Sequence, residues 1–168
     1  MQDLKDLVVE IPDFPKPGIL FRDISPLLRQ RFHATITAVD ALFSDQEWES
    51  VDVVSGIESR GFIFAAALAE RHRKGVVPIR KKGKLPPPVV DVDYKLEYGT
   101  GVLEMQKGSG RLLLVDDVLA TGGTLSASVT LVRAAGYELR GMGVLIDLGF
   151  VPGFSCEGHA ARSVIRYD

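Results

Sequence analysis

Two adjacent carboxylates and the glycine-rich loop that follows them are the residues of this chain best suited to chemistry. Asp116 and Asp117 lie within Leu112–Thr124, whose sequence is LLLVDDVLATGGT. Backbone N–H groups at the start of a helix bind phosphate, and Gly122 and Gly123 would let the backbone approach such an anion closely. Two carboxylates beside a phosphate site can accept hydrogen bonds from the 2′- and 3′-hydroxyls of a ribose. The stretch therefore predicts a cradle for ribose 5-phosphate.

The elements that would position this cradle are a strand and a helix. The run Leu112–Val115 is short, continuous and apolar, which is typical of a strand buried on both faces. Apolar residues recur at helical spacing from Leu125 to Ala135, and Gly136 would end that helix. The predicted phosphate-binding loop between them consists of Ala120, Thr121, Gly122, Gly123 and Thr124. The alternative is a connecting loop with a threonine cap and two solvated aspartates.

A second unit of strand, loop and helix precedes the first. Val51–Ser55 is a β-branched run that predicts a strand, and apolar spacing predicts a helix over Phe62–Arg71. The loop between them offers the hydroxyl of Ser59, the guanidinium of Arg60 and a helix N-terminus, which together can bind a second anion. The alternative for this loop is a simple connection with a solvent-exposed arginine.

A hairpin is predicted between the two units. From Val90 to Tyr98 apolar and polar residues alternate, which is typical of a half-buried strand. Gly99–Gly101 would then turn the chain into a returning strand over Val102–Gln106. The hairpin is either a lid over the site or a plain edge hairpin. Glu97, on the polar face beside the turn, is accordingly either a group that swings over the site or an ordinary solvent-facing residue.

The remaining patterns complete an α/β fold. Further strands are expected over Val76–Arg80, Met142–Asp147 and Ser163–Tyr167, with a loop over Val151–Gly158. Alternating strands and helices predict a mainly parallel sheet flanked by helices, with both anion loops at the carboxyl ends of strands. We expect one domain over residues 1–168.

The N-terminal part has fewer regular patterns. We expect a short helix over Gln2–Val8 and an irregular segment after it, because several prolines and Gly18 interrupt the chain. The Ser-Pro pair that ends Phe21–Pro26 (FRDISP) would start a helix. A helix is also expected over Phe32–Phe43, with Phe32 as a core contact.

The composition limits the classes of function. The chain has 168 residues and a net charge of −2, which gives no argument for a nucleic-acid or membrane partner. Cys156 is its only cysteine, so neither an intrachain disulfide nor a multi-cysteine zinc site is possible. The N-terminus lacks the pattern of a signal peptide, and no apolar run approaches the ~18 residues of a membrane span. We expect a cytoplasmic protein.

Three stretches of the chain resemble a known family. Leu112–Thr124 resembles the phosphoribosyl diphosphate (PRPP) motif of the type I phosphoribosyltransferases. Phe21–Pro26 and Ile79–Pro86 (IRKKGKLP), the latter followed by Leu96–Gly99 (LEYG), are similar to the adenine phosphoribosyltransferase branch. The similarity covers most of the chain. It implies the type I phosphoribosyltransferase fold with a lid hairpin and an N-terminal purine-binding hood.

The resemblance also implies a transfer of ribose 5-phosphate from PRPP to adenine, giving AMP and diphosphate. Asp116, Asp117 and Ala120–Thr124 would bind the ribose phosphate. The residues that would bind the diphosphate are Ser59, Arg60, Arg80 and Lys84. Arg80 would serve its own site or that of the neighbouring subunit in a homodimer. The cofactor would be Mg²⁺, held mainly by PRPP itself rather than by protein ligands.

The resemblance assigns the base to the N-terminal segment and one later residue. The residues that would contact adenine are Leu20, Phe21, Arg22 and Leu148. Phe21 would stack on the ring, backbone groups of Leu20 and Arg22 would bind its edge, and Leu148 would lie at the opposite face. Glu97 would be the catalytic residue that handles the proton of N9.

The second anion loop departs from the resembling family at one residue. Relatives commonly carry aspartate where this chain has Glu58, and such loops can hold a cis peptide, which we expect at Glu58–Ser59.

Two other functions stay open. The chain could instead transfer ribose phosphate to another base such as xanthine, or act as a regulator that senses PRPP. A regulator that binds DNA should carry an added basic domain, for which 168 residues leave no room.

Overall fold

The computed structural model describes residues 2–96 and 99–167 of the chain. The helices are α1 Gln2–Lys5, α2 Ser25–Asp40, α3 Asp45–Glu49, α4 Gly61–His72 and α5 Gly123–Ala134. The strands are β1 Val9–Pro12, β2 Leu20–Asp23, β3 Val53–Gly56, β4 Gly75–Val76, β5 Arg80–Lys81, β6 Val89–Leu96, β7 Gly99–Gln106, β8 Gly110–Leu119, β9 Tyr137–Asp147, β10 Ser155–Cys156 and β11 His159–Arg166. Glu97, the predicted catalytic residue, lies outside the described residues.

A six-stranded sheet positions the predicted anion loops. Its strand order is β10-β11-β9-β8-β3-β4, and neighbouring strands are parallel except for β10 and β11. The predicted α/β fold with a mainly parallel sheet is therefore confirmed. Because β3 and β8 are neighbours, the loops that follow them lie at the same carboxyl edge, where sheets of this kind bind ligands.

Strand β8 separates two hydrophobic clusters. Leu113 and Val115 belong to a cluster with residues of α2 and α4, whereas Leu112 and Leu114 belong to one with residues of α5 and β7. All four side chains are at most 1% exposed. The prediction of a strand buried on both faces is confirmed. Packing on two sides makes β8 a fixed support for the groups at its carboxyl end.

The predicted hairpin is formed by β6 and β7, whose register runs from Val89 opposite Gln106 to Leu96 opposite Gly99. Together with β5 they form a three-stranded sheet in the order β5-β7-β6. The prediction of a turn at Gly99–Gly101 is wrong, because Gly99 already pairs within β7. Gly101 lies opposite Tyr94, and a Cβ there would come within 2.5 Å of the tyrosine ring.

The strand predicted over Val76–Arg80 is divided between two sheets. β4 ends at Val76, and β5 begins at Arg80 and pairs with β7. Pro78 lies between them and has no N–H to donate to a ladder. A continuous strand is therefore interrupted, and the chain passes from one sheet to the other. The loop predicted over Val151–Gly158 also contains a short strand, β10.

Helix α2 begins at Ser25, as the Ser-Pro pair predicted, and continues past Phe32, where a separate helix was expected to begin. The Asp23 carboxylate accepts hydrogen bonds from the N–H (2.9 Å) and hydroxyl (2.6 Å) of Ser25, and Pro26 occupies the first turn. Arg31 has non-helical backbone angles (φ −136°, ψ 32°). Phe32 follows this interruption and is 40% exposed, so the prediction that Phe32 is a core contact is wrong.

Close contact between β3 and α4 gives a test of the packing. A Cβ on Gly56 would lie 2.3 Å from the carbonyl oxygen of Gly61. We predict that Gly56→Ala lowers the free energy of unfolding by about 1–3 kcal/mol, because the backbone must move to admit a methyl group. Urea unfolding measures the change. Ala66→Val on the exposed face of α4 is the control, and equal losses in the two variants would contradict the packing argument.

Candidate functional site

The predicted phosphate loop forms the N-terminal end of α5. Gly122 caps the helix with a left-handed backbone (φ 80°), and a Cβ there would lie 2.3 Å from the Phe154 ring. The first main-chain bond of the helix runs from Ser126 N–H to the oxygen of Gly122 (2.9 Å). The N–H groups of the first turn therefore have no helical acceptor, and no side chain caps them. This arrangement suits an anion.

The sequence predicted Asp116 and Asp117 at the end of a strand, but β8 continues to Leu119 and both aspartates lie within it. They are only 8% and 7% exposed, so the alternative of solvated aspartates is wrong. Burial raises the pKa of both carboxyls, and the charge of Asp117 raises the pKa of Asp116 further. The Arg60 guanidinium acts in the opposite direction on the pKa of Asp117 but does not outweigh burial.

Arg60 connects the second anion loop to these carboxylates. It is the N-cap residue of α4, and its Nη2 lies 2.7 Å from Oδ2 of Asp117. A Cβ on Gly61 would lie 2.7 Å from Oδ1 of Asp116, so α4 starts directly against the aspartate pair. Ser59 is exposed, and the cis peptide expected at Glu58–Ser59 is confirmed. The two predicted loops thus meet at one edge of the sheet.

Phe21, the predicted stacking residue, lies beside Arg60. Its ring is 5.3 Å from Cζ of Arg60 and makes an edge-on contact with Phe14 at 5.1 Å. Leu20 beside it is 45% exposed. The Arg22 side chain is directed elsewhere, with Nη2 2.9 Å from Glu10 and Cζ 3.7 Å from the centre of the Tyr167 ring. The backbone groups of Leu20 and Arg22 therefore stay available to a ligand, and the ring of Phe21 lies beside Arg60.

Leu148 lies at the carboxyl edge of the sheet, directly after β9. Its N–H donates to the carbonyl oxygen of Leu119 at the end of β8 (2.9 Å), and its side chain packs against the cluster that contains Leu113. The structure thus brings Leu148 to the edge that holds the aspartate pair. Its predicted position opposite Phe21, across a bound base, stays a prediction.

Arg80 joins the loop of Ser59 through Glu58. Its Nε lies 3.2 Å from Oε2 of Glu58, and that oxygen also accepts the N–H of Lys81 at 3.0 Å. The Lys81 amide and then the Arg80 guanidinium hold the pKa of Glu58 below its usual value. Lys84 lies on the exposed loop that follows β5. Among the described residues, Arg80 thus contacts the second anion loop, whereas no contact joins the Lys84 ammonium to it.

Three residues that shape the site were not predicted from the sequence. Phe14 packs on Phe21, Phe154 covers Gly122, and Glu104 binds the loop that carries Lys84. Phe14 and Phe154 lie in irregular segments without a periodic signal. Glu104 falls in a predicted strand, but a charged residue between apolar neighbours is typical of a half-buried strand and does not indicate a buried carboxylate.

A separate cavity of about 580 Å³ lies at the amino end of β9. Its lining residues are Arg133, Gly136, Tyr137, Glu138, Leu139, Glu157 and His159. None of the predicted site residues borders it, and Arg133 and Glu157 form an ion pair across 2.6 Å. The predicted chemistry therefore lies at the opposite edge of the sheet from this cavity.

The described residues contain neither a cluster of metal ligands nor a membrane-spanning helix. In residues 2–96 and 99–167, no three His, Cys, Asp or Glu side chains are grouped so that they could hold a metal ion. Over the same ranges, every helix is too short or too polar to cross a membrane.

Comparison with known sequences adds to this geometry. The family model of the phosphoribosyl transferase domain matches residues 30–149. The chain is 55% identical over 159 residues to adenine phosphoribosyltransferase from Hydrogenovibrio crunogenus, covering 94% of this chain and 92% of that protein. It is 48% identical over 165 residues to adenine phosphoribosyltransferase from Bdellovibrio bacteriovorus, covering 98% and 99%.

Solved structures are similar over the same length. Adenine phosphoribosyltransferase from Rhodothermus marinus superimposes with a TM-score of 0.85 at 40% identity, covering 99% of this chain and 97% of that one. The adenine phosphoribosyltransferase from Saccharomyces cerevisiae, complexed with adenine and an imino-altritol bisphosphate, gives a TM-score of 0.88 at 34% identity and 97% coverage of both chains.

Because Asp116 is buried, we predict that it makes the stability of the protein depend on pH. The pKa of Asp116 is raised in the folded protein. The contribution of Asp116 to the free energy of unfolding is therefore most favourable below about pH 4, where its carboxyl is protonated even in the unfolded chain. This contribution declines as the pH rises through the folded-state pKa. Asp116→Asn removes this dependence, so the variant should gain stability relative to the parent between pH 4 and pH 8. Urea unfolding across this range measures the gain. A difference that does not change with pH would contradict the buried charge, and Asp93→Asn, at an exposed position on β6, is the control.

Proposed function

The chain belongs to the phosphoribosyltransferase family, in the adenine phosphoribosyltransferase branch, and we propose that it makes AMP and diphosphate from adenine and PRPP as a step of purine salvage. One observation carries the proposal. Arg60 contacts both Asp117 (2.7 Å) and the ring of Phe21 (5.3 Å). A ribose site, a cation for diphosphate and a surface for a base are therefore adjacent, as a transfer between ribose and base requires.

The ribose phosphate would occupy the edge between β8 and α5. In this proposal Asp116 and Asp117 accept hydrogen bonds from the two ribose hydroxyls, which provide the donors that a buried carboxylate pair needs. The 5′-phosphate would lie against the loop of Ala120, Thr121, Gly122, Gly123 and Thr124, where first-turn amides have no helical acceptor. Hydroxyls of Thr121 and Thr124 would add two further donors.

The diphosphate would be bound by cationic and hydroxyl side chains. We assign this role to Ser59, Arg60, Arg80 and Lys84. Guanidinium groups suit phosphate oxygens because they donate two parallel hydrogen bonds. Mg²⁺, when bound, supplies further positive charge to the leaving group and would be held mainly by oxygens of PRPP, since this ion favours substrate phosphates over all-protein cages.

The base would lie against Phe21, with backbone groups of Leu20 and Arg22 at its edge and Leu148 at its other face. In the reaction the C1′–O bond breaks, and its electron pair leaves with the diphosphate. Positive charge develops at C1′, and N9 of adenine attacks that carbon and loses its proton. We assign the proton to the carboxylate of Glu97, which can receive or relay it at the imidazole edge of the base.

A single assay distinguishes this function from two alternatives. A phosphoribosyltransferase for another base such as xanthine would use the same ribose cradle, and a PRPP-sensing regulator would bind PRPP without turnover. The assay supplies PRPP and Mg²⁺ with adenine, hypoxanthine, guanine or xanthine in turn. We expect product with adenine at the highest kcat/KM. Preference for another base would contradict the adenine assignment, and PRPP binding without product would favour the regulator.

We further propose that the protein is a cytoplasmic homodimer. The support is the resemblance to adenine phosphoribosyltransferases, and in such a dimer Arg80 would serve its own site or that of the neighbouring subunit. Sedimentation equilibrium tests this state, and a monomer at micromolar concentration would contradict it.

Replacing Phe21 tests the base site. We predict that Phe21→Ala raises the KM for adenine far more than the KM for PRPP, because lost stacking and burial cost roughly 1–3 kcal/mol. Steady-state kinetics with each substrate varied in turn measure the two effects. Phe32→Ala, which removes an exposed phenyl ring on α2, is the matched control. A parallel rise in both KM values would indicate a general defect instead.

Replacing Glu97 tests the proton step. We predict that Glu97→Gln lowers the rate of AMP formation on the enzyme by about 10²–10⁴, because the amide cannot accept the proton of N9. PRPP affinity should change little. Pre-steady-state quench measurements separate this step from product release. Glu138→Gln, at an exposed position on β9, is the control, and a parental chemical step in Glu97→Gln would remove the residue from catalysis.

A further inference from the structure

The loop after β5 is held by one buried carboxylate. Three consecutive residues, Gly83, Lys84 and Leu85, donate their backbone N–H groups to the side chain of Glu104 on β7, at 2.9, 2.6 and 2.6 Å. Glu104 is 3% exposed. Gly83 has a left-handed backbone (φ 83°), and a run of amides that point into one concavity is a common way for a backbone to bind an anion.

Glu104 would be a poor choice for a buried position without these donors. Its neighbours along β7, Leu103 and Met105, are 1% and 0% exposed and face the other side of the strand, while Arg80 and Asp91 lie opposite Glu104 on the paired strands. A buried carboxylate is unfavourable unless hydrogen bonds replace its lost hydration. The amides, that of Gly83 first, hold the pKa of Glu104 below its usual value. The carboxylate is therefore ionised at neutral pH and fully engaged with the loop.

The same strand also fixes the ends of this loop. Arg80 lies opposite Glu104 in the pairing of β5 with β7, and the N–H of Lys82 donates to the carbonyl oxygen of Val102 at 3.0 Å. At the far end the Gln106 side chain donates to the carbonyl oxygen of Pro86 at 3.3 Å. Between these points Glu104 provides the contacts to the backbone of Lys84 and its neighbours.

We propose that Glu104 is a positioning residue that acts through Lys84, holding the loop so that the lysine ammonium is directed to the diphosphate of PRPP. The proposal rests on the proposed function, because it takes Lys84 as a diphosphate contact. It adds to that function a role for a residue that does not itself touch substrate. If Glu104 only stabilised the fold, its replacement would lower the affinity for all ligands equally. If it positions Lys84, its replacement lowers the affinity only for ligands that carry a diphosphate.

The experiment compares ligands with and without the diphosphate. Glu104→Gln keeps the size of the side chain but removes its charge and turns one acceptor into a donor that faces an amide. PRPP affinity, measured by calorimetry with Mg²⁺, should fall about tenfold, the order expected for losing a charge-assisted contact. Affinity for AMP, which lacks the diphosphate, should change less than twofold. Asp93→Asn, which alters an exposed carboxylate on β6 of the same sheet, is the control and should leave PRPP affinity near that of the parent.

A double variant decides whether the effect passes through Lys84. If it does, Glu104→Gln combined with Lys84→Ala should bind PRPP no more weakly than Lys84→Ala alone. Additive losses would overturn the proposal, and so would equal losses of PRPP and AMP affinity in Glu104→Gln.

Hydrogen exchange tests the anchoring role of Glu104 without any ligand, so a negative result for this proposal can be told apart from a negative result for the proposed function. The amides of Gly83, Lys84 and Leu85 should exchange faster in Glu104→Gln than in the parent, with no ligand present. Unchanged exchange would overturn the anchoring role whatever the protein binds. A parent protein that does not bind PRPP would overturn the proposed function and the diphosphate role, even if the amides respond as expected.

Discussion

The carboxylate pair in the carboxyl-terminal half of β8 is the constraint on which the rest of the site depends. Asp116 and Asp117 are almost fully buried, and burial raises the pKa of both. Two acids in such a place are unfavourable for the empty protein, and they are partly compensated by Arg60 at 2.7 Å from Asp117. The arrangement resembles other functional sites, in which stability is given up to hold groups ready for a ligand. A ribose diol would supply the missing donors.

Close backbone packing makes this arrangement possible. Gly56 and Gly61 allow the start of α4 to approach β3 and the aspartates, and a Cβ at either position would collide with a backbone or carboxylate oxygen. Gly122 plays a similar part at the start of α5, where the Phe154 ring covers the loop. The two helices that begin at this edge both direct N-termini toward one place. Positive potential is therefore built from the backbone, in a chain whose net charge is −2.

Much of the fold could be predicted because its signals are local. The apolar run Leu112–Val115 indicated a strand buried on both faces, and the alternation from Val90 indicated the hairpin. The errors came where one residue changes the course of the chain, as Pro78 does between β4 and β5 and Arg31 does within α2. Phe32 was misplaced for that reason.

The site itself could be predicted only in part, since its contacts join residues far apart in the sequence. A motif can identify Asp117 and Arg60, but the 2.7 Å ion pair between them depends on β3 and β8 being neighbours. The contact of Arg60 with Phe21 depends in addition on the position of β2, which belongs to a separate two-stranded sheet. Glu104 was overlooked because its three bonds to the loop after β5 follow from the pairing of β5 with β7, which no periodic pattern indicates.

The central claim is that the edge formed by β8 and α5 binds a ribose phosphate, with the base beside Phe21. A crystal structure of the protein with AMP tests it most directly. We expect the 5′-phosphate to lie against the first-turn amides of α5, the ribose hydroxyls to donate to Asp116 and Asp117, and the adenine ring to stack on Phe21. A phosphate bound elsewhere, such as in the cavity lined by Arg133 and His159, with the aspartate pair left without ligand, would contradict it.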